Sequence, residues 1–135
     1  MAKQATNSRS FQIDHEVLRR ALASEEELVF AYLFGTQASG ETTPLSDVDV
    51  AVYPARPLDL DRRLGIIQRM SVKTTCDDLD VTFLNRVDNL YILKAIVDDG
   101  IVMLDRDPDR RAMFEVMVQH RFIDFVHQRK IFLGR

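Results

Sequence analysis

The chain has 135 residues, 46% hydrophobic and 29% charged, with a formal net charge of -3. That is the size and composition of one soluble domain, and the slightly acidic balance excludes a broad nucleic-acid-coating surface. Cys76 is the one cysteine, so no internal disulfide framework exists.

In chain order, the polar start MAKQATNSRS lacks the apolar core of a signal peptide and is expected to fray over residues 1–10. No run approaches the roughly 18 apolar residues of a spanning helix, so the cytoplasm is the expected location. From Asp14 as N-cap, Val17, Leu18, Ala21 and Leu22 fall at helical spacing. The apolar run ELVFAYLF predicts a buried strand at 28–34, closed by Gly35. TQASGETTPLS is rich in turn residues and has room for one helical turn. DVDVAVY predicts a second strand, stopped by Pro54 and Pro57. Leu58, Leu60, Leu64, Ile67 and Met70 predict an amphipathic helix, in which Gly65 is a weak point. LDVTFLN predicts a third strand, with Leu79, Val81 and Phe83 on one face and Asp80 and Thr82 on the other. A helix over NLYILKAIVDDG ends at Gly100, and IVML is a fourth strand. Asp107 and Pro108 open a long final helix over 107–133. Strands alternating with helices give a single α/β or α+β domain over 1–135.

Two aspartates interrupt the second strand. Residues i and i+2 of a strand point the same way, so Asp47 and Asp49 present two carboxylates on one face while Val48 and Val50 face the core. Like charges so placed repel. A divalent cation reverses the sign, and hard oxygen ligands suit magnesium. Asp80, off the core face of the third strand, is the third candidate ligand. Three carboxylates from two neighbouring strands can hold two metals for in-line phosphoryl or nucleotidyl displacement. Gly35 and Thr36 supply the complement. A strand ending in glycine exposes backbone N–H groups to an anion, and the Thr36 hydroxyl adds a donor to a phosphate oxygen.

The pattern Gly-(Ser/Thr), ten residues, Asp-x-Asp resembles the signature of the polymerase-β-type nucleotidyltransferases. GTQASGETTPLSDVDVAV also matches its finer positions, Ala38, Gly40 and Ser46. The order DVTFLN, helix, GIVMLDRD, long helix is similar to the minimal nucleotidyltransferase (MNT) subgroup over roughly residues 14–115. Thr36 stands where the family usually has Ser; the hydroxyl is kept and a methyl is added. The resemblance implies a polymerase-β-like fold, a mixed sheet of about four strands flanked by helices. It implies Asp47, Asp49 and Asp80 as catalytic and Mg²⁺ ligands, with ATP held by Gly35, Thr36 and Ser46. It further implies an antitoxin that moves AMP from ATP to a tyrosine of a HEPN-type ribonuclease toxin, the expected partner. The alternatives are an antitoxin that neutralises its partner by binding, and a small-molecule transferase of the aminoglycoside type.

The remaining candidates carry less chemistry. His15, His120 and His127 lack metal-ligand spacing and are expected at the surface. Cys76 reads as a bystander, and Tyr32, Tyr53 and Tyr91 as packing residues. The final helix has more apolar surface than its own domain covers: Phe114, Met117, Val118, Phe122, Phe125, Val126, Ile131, Phe132 and Leu133. That predicts a docking surface for a helical partner or a second copy. Arg110, Arg111, Arg121, Arg129 and Lys130 are either steering charges or a solvated face.

Overall fold

The computed structural model describes residues 12–35 and 48–132. The described elements are α1 (His15–Ala23), β1 (Leu28–Phe34), β2 (Val48–Pro54), α2 (Leu60–Thr74), β3 (Leu79–Phe83), a 3-10 turn (Leu84–Arg86), α3 (Leu90–Asp99), β4 (Ile101–Asp105) and α4 (Pro108–Phe132). The strands form one mixed sheet in the order β3-β2-β1-β4. β1 runs antiparallel to both β2 and β4, and β2 runs parallel to β3. This is the expected α+β architecture.

The helix starts are set by side chains that accept otherwise unpaired backbone N–H groups. Asp14 caps Glu16 and Val17, Asp59 caps Arg62, and Asn89 caps Tyr91 and Ile92. Asp107 accepts from Arg110 at the start of α4, with Pro108 as the first helical residue.

β1 is central and covered on both faces, which is why its sequence is a continuous apolar run. One face of the sheet, through Leu33, Val48, Val50, Val52 and Leu79, packs on Leu18 and Leu22 of α1 and Ile66 and Met70 of α2. The other face, through Phe30, Tyr32 and Ala51, packs on Leu93 and Ile96 of α3 and Phe114 and Val118 of α4. Phe30 stacks on Tyr53 with centroids 4.6 Å apart, and Phe114 closes the ring cluster. The Tyr32 hydroxyl, buried inside, donates to Glu115 at 2.6 Å. Burial, reinforced by that carboxylate, pushes the Tyr32 hydroxyl well above the ordinary tyrosine range.

Among the described residues, one charged side chain is buried without being stranded. Glu25 is 5% exposed and accepts two bonds from Arg69, at 2.9 and 2.8 Å. Arg106 donates to the carbonyls of Ala23, Glu25 and Leu28, tying the end of β4 to the α1–β1 turn.

Several sequence expectations shift. Leu60 and Leu64 are 59% and 52% exposed, and the buried face of α2 is Ile66, Met70 and Thr74. The helix seats Ile66 and Met70 in the cluster that holds Leu18 and Leu22 of α1. Gly65 does not interrupt it. β3 ends at Phe83, and Leu84 turns into the opposite core through the 3-10 turn. Pro54 is the last residue of β2 and lies inside the strand. Cys76 is buried as a small apolar residue. Tyr91 is exposed, with its ring against the edges of Phe122 and Phe125. Among the described residues no helix is long and apolar enough to cross a membrane.

Candidate active site

The alternation along β2 is the starting point. Val48, Val50 and Val52 are fully buried on the α1/α2 face, so Asp49 projects from the opposite face, half-buried. Its neighbour follows from register. In the parallel β2–β3 pair, Asp49 sits directly opposite Asp80, between the pairs Val48–Leu79 and Val50–Val81. Paired residues of adjacent strands share a face and stand about 4.8 Å apart. The two carboxylates therefore emerge side by side at the edge of the sheet, where β2 and β3 begin.

β1 brings the third component. Phe34 is the antiparallel partner of Asp49, so β1 ends beside the acid pair. Gly35 follows with φ +76°, in the left-handed region that favours glycine. A Cβ at Gly35 would lie 2.6 Å from Asp49 Oδ2. The missing side chain is thus the space that the Asp49 carboxylate occupies. The glycine both turns the chain and admits the acid.

Of the residues singled out in the sequence, Gly35, Asp49 and Asp80 are brought to one place. Thr36, Ser46 and Asp47 lie outside the described residues. The expected helical turn in TQASGETTPLS lies outside them too.

The electrostatics favour a cation. The ion pairs of the described residues engage Glu16, Glu25, Glu27, Asp98, Asp105 and Glu115. None of them engages Asp80. Two acids on adjacent strands are a hard oxygen donor set, and magnesium typically takes one or two carboxylates and leaves positions for water and phosphate oxygens. The residues present fit such an ion. Among the described residues no group of three His, Cys, Asp or Glu converges on one point.

The basic residues of α4 are largely committed elsewhere. Arg110 donates to the Ala55 carbonyl and covers the Tyr53 ring. Arg111 bridges Asp105 and Glu115. Sequence reading had no signal for these roles, because their partners lie on other elements. His15, His120 and His127 are all exposed, as expected.

Comparison with known proteins agrees with this fold. Residues 16–109 match the family model described as "Polymerase beta, Nucleotidyltransferase". No curated protein matches the chain by sequence. Among solved structures, a chain of a toxin–antitoxin crystal structure with AMP-PNP superposes with TM-score 0.73 at 21% identity, covering 90% of this chain and 97% of that one. A chain of the tri-AMPylated Shewanella oneidensis HEPN toxin in complex with MNT antitoxin gives TM-score 0.68 at 17% identity, covering 90% and 97%. A chain of the toxin–antitoxin MntA-HepT gives 0.67 at 20% identity, covering 89% and 93%. At these identities the likeness is one of fold.

Proposed function

We propose a function for this chain from one premise: it belongs to the polymerase β nucleotidyltransferase family. The chain is a metal-dependent nucleotidyltransferase that moves AMP from ATP to a tyrosine hydroxyl of a HEPN-type toxin, and thereby acts as the antitoxin of that pair. The observation that carries this reading is the parallel register that sets Asp49 opposite Asp80, with Gly35 opening the space for the Asp49 carboxylate. The fold shared with chains of toxin–antitoxin complexes, one holding AMP-PNP and one AMPylated, supports the substrate and the partner class.

Asp49 and Asp80, with Asp47, would hold Mg²⁺. When bound, that ion neutralises charge on the phosphates and lowers the pKa of an oxygen nucleophile. Asp49 is held rigidly, because its strand is buried on both sides of it and Gly35 backs its carboxylate. Gly35, with Thr36 and Ser46, supplies backbone and hydroxyl donors to the phosphates. Asp80 is the more exposed acid of the pair. It orients the acceptor tyrosine and takes its proton. The tyrosine oxygen forms a bond to the α-phosphorus as the bond to pyrophosphate breaks.

The test uses ATP labelled at the α-phosphate, Mg²⁺ and a HEPN-type partner. Label is expected on the partner with the wild-type chain and not with Asp49→Asn or Asp80→Asn. Neutralisation that survives the loss of transfer in these variants would replace chemistry by binding alone.

A further inference from the structure

The outward side of α4 has no role in the site. At 100° per residue, Phe114, Val118, Phe122 and Phe125 point to the domain. The first two are buried and the others half-buried. The opposite side carries Met113, Val116, Met117, His120, Ile123, Asp124, His127 and Ile131. Met113 is 74% exposed, Ile123 61% and Ile131 64%. The residues recur at steps of three and four, the spacing of a helix–helix seam. The seam spans about 27 Å of helix at 1.5 Å per residue.

We propose that this face pairs with the same face of a second copy, with the two α4 helices antiparallel. The spacing of residues 113, 117, 120, 124, 127 and 131 is symmetric about Phe122, which makes the seam self-complementary, and the Asp124 charge decides the direction. In a parallel pair each residue meets its own copy, so Asp124 meets Asp124 and His120 meets His120. In an antiparallel pair with its two-fold axis at Phe122, His120 of each copy faces Asp124 of the other. Met113 then faces Ile131, and Met117 faces His127. In this register each His120 imidazole meets an Asp124 carboxylate that can accept its N–H, and Met113–Ile131 contacts seal both ends. The symmetry makes one good pair into two.

Sedimentation equilibrium on the full chain over micromolar concentrations tests this. The wild type is expected to dimerise. Ile123→Glu is expected to leave a folded monomer, with an unchanged circular dichroism melt. His120→Asp sets acid against acid and is expected to raise the dimer dissociation constant roughly tenfold or more, the effect of juxtaposed like charges. Adding Asp124→Lys to His120→Asp is expected to restore dimerisation, because the reversed pair attracts again. A wild-type chain that stays monomeric overturns the proposal, as does a dimer indifferent to Ile123→Glu. Failure of the double variant to recover overturns the antiparallel pairing. A wild-type monomer whose Ile123→Glu variant loses binding to a separate protein assigns the face to that protein instead.

Discussion

Replacing Gly35 by alanine separates the site from the fold. The added Cβ would sit 2.6 Å from Asp49 Oδ2, roughly 0.8 Å inside an ordinary contact. The clash is with a carboxylate on a strand whose neighbours Val48 and Val50 are fully buried, so the strand cannot yield and the side chain must. A displacement on the order of 1 Å in a reacting group costs about 10²-fold in rate. The backbone cost is smaller. Alanine in the left-handed region costs ~1–2 kcal/mol, partly offset by ~0.4–1 kcal/mol from a stiffer unfolded chain. The net loss of about 1 kcal/mol corresponds to a Tm drop of roughly 3–5 °C for a chain of this size. Transfer of α-labelled AMP should therefore fall about 100-fold while the chain stays folded at assay temperature. Gly65→Ala is the control. Its Cβ would meet the Arg69 guanidinium, at 3.1 Å from Nη1, and no residue of the site, so transfer should be unchanged, while the ~0.5–1 kcal/mol gain in helix propensity is opposed by pressure on the Arg69–Glu25 pair. Wild-type rate and metal affinity in Gly35→Ala would refute the packing of glycine against Asp49 as a functional requirement.

Three further outcomes follow from the same geometry. Asp80→Asn removes one of two like charges facing each other across a strand pair, so in the absence of divalent cation it should raise stability by ~0.2–1 kcal/mol by thermal melt, and added Mg²⁺ should erase that advantage. Phe114→Ala empties the centre of the Phe30–Tyr53–Phe114 cluster and should cost ~3–5 kcal/mol in denaturant unfolding. Burial and the Glu115 carboxylate hold the folded Tyr32 hydroxyl above the ordinary tyrosine value of 10.0. Its contribution to stability is therefore complete below about pH 10 and is lost as pH climbs from there through the folded value; Tyr32→Phe should flatten that alkaline decline.

The local chemistry of this fold is written plainly in its sequence. Asp14, Asp59, Asn89 and Asp107 mark helix starts with short side chains that accept backbone N–H groups. The apolar run of β1 and the alternation of β2 and β3 give strands with correct faces. Asp49 and Asp80 were legible as outward acids for the same reason. Their meeting was expected from the resemblance rather than from any local pattern, because the parallel pairing of β2 with β3 joins segments separated by a whole helix. Leu60 and Leu64 mislead for a related reason: α2 seats itself by Ile66 and Met70, and which stripe wins depends on the neighbouring α1. Tyr32, Glu115 and Arg111 form a network across three elements, and such networks leave no spacing to read. Gly35 shows an intermediate case. Its freedom to turn is evident from sequence, whereas its contact with Asp49 appears only once β1 and β2 are paired.

The most direct test of the central claim is a titration of the isotopically labelled chain with Mn²⁺ in place of Mg²⁺, read as paramagnetic broadening of backbone amides. The account predicts that the amides of Gly35, Asp49 and Asp80 broaden first and together, and that Asp80→Asn abolishes the effect. Broadening centred on another acidic surface, such as Asp98 and Asp99, with these three amides unaffected, would contradict it.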